Sequence, residues 1–383
     1  MPIHFTPAEF ETRRAAACAA LTEAGLQGLL VFRQESMYYL TGYDTFGYVH
    51  FQCLFLGVGG DLVLLTRAPD RLQARFTSVI EDIRVWEDRD GADPYSMLRD
   101  IVCEFGHARG CLGIELEAYG LTAAKGLAVI QAFEGACELR DASQLVSRLR
   151  LVKSPSEIAY LRRAAELADL ALDAAHETAC AGAFEGDILA AMQSVIYRGG
   201  GDDPANEQII GSGTGALMCR YYSGRRHLDA RDQLTLEFAG AFRHYHVCLM
   251  RTVPIGEPDP RLVSMHAATR DALLAARDAL RPGRPIGEIF DTHARVLDAA
   301  GHRSHRMNAC GYSLGATFAP NWMDWPMFYH GNPVEAAPGM VFFIHIILFD
   351  EDRGLAMSLG ETQLVTETGC ESFSRQSLKL VVC

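Results

Sequence analysis

The 383-residue sequence has no apolar run long enough to cross a membrane. Its longest, Val341 to Phe349, is interrupted by His345 and falls far short of the ~20 residues a spanning helix needs, so it reads as a buried strand. It also has no basic surplus. With 35 Lys and Arg against 48 Asp and Glu, a net charge of -13, it lacks the positive footprint that nucleic acid or an anionic membrane requires, which leaves a small molecule as the expected partner. Paired cysteines are missing too. The 11 cysteines are odd in number and contain no CxxC, and the opening MPIHFTPAEFETRR is charged without the apolar segment of an export signal. Both features point to a reducing compartment, most simply the cytoplasm. Nothing suggests disorder: 49% of residues are hydrophobic and 22% charged, and the length allows two domains.

The first part reads as an α/β unit over residues 1–150. A helix over 7–24 stops at Gly25, the apolar runs around 29–32, 51–58 and 61–66 read as strands, and helices over 95–106 and 119–133 alternate with strands at 111–115 and 137–140. Residues 36–51, SMYYLTGYDTFGYVHF, cluster Tyr and Phe around two glycines and read either as a loop packing aromatics on the sheet or as a binding element. The character changes at KSPSEI. Ser154, Pro155 and Glu157 supply an N-cap, a proline in the first turn and a capping-box acid, so a long helix begins there, with Arg162 and Glu166 expected to pair on its surface. Residues 151–383 then form two similar α-plus-β halves, the second with strands at 341–349, 360–366 and 378–382. The glycine-rich GGGDDP and GSGTGA lack the strand–helix context of phosphate cradles and read as loops.

Most of the chemistry is expected around DQLTLEFAGAFRHYHVCLMRT, residues 232–252. Alternation predicts two strands joined at Gly240, with His244, His246, Cys248 and Met250 on one side of the second strand, able to look toward whatever Glu237 faces. A carboxylate inside so apolar a hairpin is costly unless paired, so Glu237 is either a site residue or on a solvated face.

This order of elements, with the KSPSEI helix start, the hairpin ending RTV and APGM at 337–340, resembles the pita-bread superfamily of methionine aminopeptidase, aminopeptidase P, prolidase and creatinase. The resemblance covers essentially the whole chain. It implies an α/β N-terminal domain (1–150) followed by an α+β pita-bread catalytic domain (151–383) with pseudo-twofold repeated halves. In metal-dependent members two aspartates, a histidine and two glutamates hold two ions. Registered on RT and PGM, those positions fall on Glu237, Cys248, Tyr312, His345 and Glu361, of which only Glu361 is unchanged. Too few anionic oxygens remain for two hard divalent ions, so no dinuclear centre and no cofactor are expected. One softer ion on Cys248, His246 or His345 and Glu237 stays open as an alternative.

Within the superfamily the chain is similar to the metal-free ectoine hydrolase branch, through TGYDTFGYVHF, TLEFAGAFRHYHVCLMRT, GYSLG, PNWMD and GETQLVTETG. That resemblance implies hydrolysis of a C–N bond in a small cyclic amidine or amide, with Glu237 as nucleophile or base. Glu361 would then hold the cation and shuttle protons, or it is merely salt-bridged in the wall. Tyr312 either donates to the reacting atoms or only packs, and His345 either bonds a core neighbour or acts as acid or base. His246 and Cys248 line the pocket or fill space, while Trp322 and Asp324 offer a ring and an anion to a cationic substrate. The superfamily also implies a homodimer with composite sites, in which the loop bearing Phe46 and Tyr48 covers the partner's active site. A Xaa-Pro dipeptidase or aminopeptidase with an atypical metal, and an inactive binding module, are the competing readings.

Overall fold

A computed structural model describes residues 3–220 and 224–383, which fall into two compact units, Met1–Arg150 and Leu151–Cys383. The first alternates α1 (Pro7–Glu23), β1 (Gly28–Val31), α2 (Gln34–Thr41), β2 (Cys53–Gly57), β3 (Leu62–Arg67), α3 (Arg71–Thr77), β4 (Asp82–Trp86), α4 (Pro94–Glu104), β5 (Cys111–Ile114), α5 (Ala123–Phe133) and β6 (Glu138–Asp141), with α6 (Leu145–Leu151) running to the boundary. Its six strands lie in the order β4-β3-β2-β1-β5-β6. Strand alternation divides the core between the two faces: Leu29, Leu54, Leu56 and Leu64 pack with Leu21 and Leu40, whereas Leu30, Phe55, Val63 and Leu65 pack with Leu98, Ile101, Val129 and Phe133.

The aromatic stretch is more ordered than a loop. Residues 34–41 form α2, every residue of it buried, and Tyr43 is buried with its hydroxyl donating to Gln52 Oε1 at 3.2 Å. Tyr48 is also buried, and Phe46 stands out at 79% exposed.

The second unit begins with α7 (Pro155–Thr178), whose Ser154 and Glu157 form the reciprocal capping box read from the sequence. The expected Arg162–Glu166 pair is not made: Arg162 bridges to Glu371 at 2.6 Å and Glu166 to Arg163 at 2.6 Å. There follow α8 (Glu185–Arg198), β7 (Ile209–Ser212), β8 (Asp232–Phe242), β9 (Tyr245–Ile255), α9 (Pro260–Ala279), α10 (Ile286–Ala299), β10 (Gly311–Ser313), β11 (Asp324–Met327), β12 (Val341–Asp350), β13 (Leu355–Val365) and β14 (Cys370–Ser372). Each half is a helix pair followed by a long hairpin, β8–β9 or β12–β13, and the halves join where β9 pairs with β13. The sheet order is β11-β10-β12-β13-β9-β8-β7, with β14 beside β13.

The hairpin turn is not at Gly240. It is the pair Arg243–His244, with φ of 51° and 65°, the left-handed geometry of a tight two-residue turn. Gly240 lies inside β8 because α7 crosses there: a Cβ would stand 2.2 Å from Ala164 O and 2.6 Å from Ala168 N. The strand expected at 378–382 is absent as well. Leu378 and Leu380 pack on the core under α9 and α10, and Cys383 alone of this C-terminal stretch bonds the end of β9, through the backbone of Pro254 and Gly256. No helix among the described residues is long and apolar enough to cross a membrane.

Candidate active site

Strand register places the chemistry. Ile209, Glu237, Met250, Gly360 and His345 are successive partners across β7, β8, β9, β13 and β12, so they share one face of the sheet. The next row on that face is Cys248, Thr362, Phe343 and Tyr312, fixed by the Tyr312–Phe343 and Phe343–Thr362 pairings and by Cys248 N–H donating to Thr362 Oγ1 at 3.0 Å. The opposite face carries Phe342, Ile344, Ile346 and Leu359 into the core beneath α9 and α10.

The polar face opens on a cavity of about 440 Å³ lined by Glu237, Tyr312, Trp322, His345, Arg220, Asn206 and Asn308, with Ile209, Ile347, Met307, Met323 and Met327 as its apolar wall. Tyr312 hydroxyl donates to Glu237 Oε1 at 3.2 Å, and Trp322 Nε1–H donates to the Tyr312 oxygen at 2.9 Å. This relay fixes the direction of both bonds, since indole can only donate and the carboxylate accepts. Glu237 Oε2 carries no hydrogen bond among the described residues and is the oxygen left for a ligand. Burial raises the Glu237 carboxyl to about 7, against the lowering by the Tyr312 hydrogen bond and the Arg220 charge. Burial and the neighbouring carboxylate push Tyr312 well up, so it stays a donor.

His345 is depressed to about 3 by burial first and then by His293 and Arg220, so its imidazole is neutral. Its Nδ1 is buried without a hydrogen-bond partner among the described residues. Of the two roles expected for it, a bond to a core neighbour is not made; a neutral ring with a vacant nitrogen beside the cavity suits a hydrogen bond to substrate.

Other expected residues are set apart. Glu361 pairs with Leu249 of β9, whereas Glu237 pairs with Met250, so Glu361 lies on the opposite face. There it meets Arg251 at 3.1 Å, Arg277 at 3.5 Å and the Ser372 hydroxyl at 3.1 Å, and it cannot clamp a ligand with Glu237. His246 does not line the cavity. Its Nε2 accepts from Ala205 N–H at 2.9 Å, so its Nδ1 donates to Thr317 Oγ1 at 3.1 Å, and the buried ring braces the 203–206 loop. His244, in the turn, stacks on Phe318 with ring centres 4.2 Å apart. Cys248 is fully buried beneath Tyr312 and Glu237, with burial raising its thiol, and fills space. Asp324 is buried off the cavity, accepting from Trp325 N–H at 2.9 Å. Phe46 and Tyr48 belong to the N-terminal unit.

Sequence reading missed Arg220, Asn206 and Asn308. They sit in irregular segments where no periodicity marks a face, and residues 221–223, next to Arg220, lie outside the described residues.

Fold and cavity together define a pita-bread protein of the prolidase and aminopeptidase type. Residues 159–367 match the Metallopeptidase family M24 and residues 13–152 the Creatinase/Prolidase N-terminal domain, and the chain belongs to that hydrolase family. It is 25% identical to the ectoine hydrolase of Halomonas elongata, covering 97% of this chain and 96% of that one. It is 26% identical to the probable dipeptidase PepE of Mycobacterium tuberculosis, over 97% and 96%. The prolidase of Thermococcus sibiricus superposes with a TM-score of 0.88 at 20% identity, covering 98% and 99%. Dipeptidase PepE of Mycobacterium ulcerans superposes at 0.86 and 25%, covering 99% of each chain.

The family name implies a metal, and the donors here do not suit one. On the cavity face Glu237 is the only carboxylate in the two central rows, and β13 presents Gly360, where an added Cβ would meet the Phe343 ring at 2.7 Å. Among the described residues no three His, Cys, Asp or Glu side chains are grouped to hold an ion. Arg220 adds a positive charge to the same cavity. Hard divalent ions need several anionic oxygens, and one shared carboxylate does not balance them.

Proposed function

We propose that this protein is a metal-independent hydrolase of a C–N bond in a small cyclic amidine or amide, with an ectoine-like substrate, and that Glu237 carries the chemistry. The observation behind this reading is the lone carboxylate, poised near pH 7 in a largely apolar cavity and held on one oxygen by the Tyr312–Trp322 relay. A cyclic amidinium placed against Glu237 Oε2 favours the ionised form of the acid. Glu237 then takes a proton from water as the water oxygen bonds to the amidine carbon, and the tetrahedral adduct collapses by breaking one C–N bond. The same carboxyl returns the proton to the departing nitrogen and the adduct hydroxyl passes its own proton, by way of that carboxylate, to the released amine, giving a ring-opened amide and an ammonium group. Direct attack by Oε2, followed by hydrolysis, gives the same products. Neutral His345 and the Tyr312 hydroxyl orient the ligand, and Arg220 suits a substrate that also carries an anionic group.

We also propose a homodimer with composite sites, in which the exposed Phe46 of one chain covers the cavity of the other.

The test is turnover by chelator-treated protein of ectoine, a hydantoin, creatine and Xaa-Pro dipeptides, followed by NMR. Ring opening of a cyclic amidine without added metal is expected. Cleavage of Xaa-Pro peptides alone, and only after Mn²⁺ or Zn²⁺ is restored, would replace this reading with that of a metallodipeptidase.

A further inference from the structure

The 203–206 loop that His246 braces has a second side. A separate cavity of about 590 Å³ lies there, between α8 and residues 203–208, with Leu189 and Pro320 among its apolar lining and Gln193, Asp203, Glu207 and Gln208 as its charged and longer polar members. Its polar groups form a directed chain. Asp203 can only accept, so Gln193 turns its amide nitrogen to it, at 3.5 Å, and the Gln193 carbonyl is left to face Gln208. Gln208 must therefore donate its own amide nitrogen, at 2.8 Å, and its carbonyl oxygen is left over. That oxygen is buried on a residue only 8% exposed and has no partner among the described residues. A buried acceptor without a donor is destabilising, so the site is built to receive an N–H or O–H group.

The charge selects among donors. Asp203 and Glu207 line the cavity and, among the described residues, no Lys, Arg or His does, so an ammonium group is favoured over a neutral donor, while Leu189, Ala190 and Pro320 accommodate a short hydrocarbon body. We infer that this cavity binds a small organic ammonium ion, its N–H groups donating to the Gln208 carbonyl with its alkyl chain on the α8 side. The site is independent of the reaction proposed for the first cavity.

Calorimetric titration with n-butylammonium, 1-butanol and inorganic ammonium tests it. Carrying it out on the Glu237→Gln protein removes the anionic charge of the first cavity as a competing cation site. One butylammonium per chain is expected, bound at least ~10-fold tighter than either comparison ligand, a margin of about 1.4 kcal/mol. Gln208→Met should weaken it about 10-fold, and Glu207→Gln, on an exposed side chain, by severalfold with an unchanged melting temperature. Asp203→Asn is the sharper variant. An amide there can donate to Gln193, reverse the chain and satisfy the Gln208 carbonyl, so ammonium binding should be lost. Equal binding of butanol, or undiminished binding in both Gln208→Met and Asp203→Asn, would overturn the inference and leave water as the partner of Gln208.

Discussion

Glu237 and Glu361 stand on opposite faces of one sheet, a single residue of register apart: Met250 faces Glu237 across one ladder and Gly360 across the other, and Glu361 is the next residue along. The first looks into a cavity; the second is locked by Arg251 and Arg277 under the helices.

Glu361→Gln is therefore expected to damage stability, not chemistry. It leaves Arg251, itself 5% exposed, without its counter-charge, and breaking a buried pair typically costs 3–5 kcal/mol. Chemical denaturation should show the loss, while kcat of the folded fraction stays within about tenfold of the parent. An unchanged denaturation midpoint with turnover abolished would return Glu361 to the mechanism.

That pair also marks how far the sequence could be read. The α7 cap, the β8, β9 and β12 strands and the repeated halves were legible because capping boxes and short β-rich apolar runs are local signals, whereas the apolar stretch at 378–382 mimicked a strand and is not one. The face on which Glu361 lands depends on the β9–β13 register, a contact between residues more than a hundred positions apart, and a slip of one reverses every side chain. Gly240 misled for a related reason: it serves a helix crossing, while the turn uses two side-chain-bearing residues at positive φ. Arg220 gave no periodic signal at all.

Glu237→Gln should abolish turnover and raise stability at alkaline pH. The folded carboxyl titrates at about 7 against an ordinary 4.5. Between those values the unfolded chain has released a proton that the folded chain retains, so the parent loses stability as pH rises from 4.5 through 7. The amide has no such titration and should gain relative to the parent by up to ~3 kcal/mol at pH 8. Urea melts of both proteins at pH 4.5 and 8 check this, and parallel pH dependences would mean that Glu237 is ionised in the fold. In the parent, kcat/KM should rise through pH 7 as the base form appears.

Tyr312→Phe should move that rise to higher pH. The phenol hydrogen bond lowers the Glu237 pKa, so removing it lets burial act unopposed apart from Arg220. It also strands the Trp322 indole N–H, and kcat/KM at the plateau should fall about 10- to 100-fold. A pH profile coincident with the parent's would show that the hydroxyl does not touch the reacting carboxylate.

The proposed composite dimer is tested by complementation. Phe46 is 79% exposed, so Phe46→Ala removes a ring at little cost to its own unit. If that ring covers the partner's cavity, it excludes water there and offers a π face to a cation. A Glu237→Gln chain then supplies a sound Phe46 but a dead carboxyl, and a Phe46→Ala chain supplies the reverse. Random re-pairing makes about half the dimers mixed, and each mixed dimer has one site with both parts intact, so about a quarter of all sites should recover full activity. With subunit exchange shown by mass-tagged chains, activity no higher than the weighted average of the two parents would mean that each cavity is completed by its own chain.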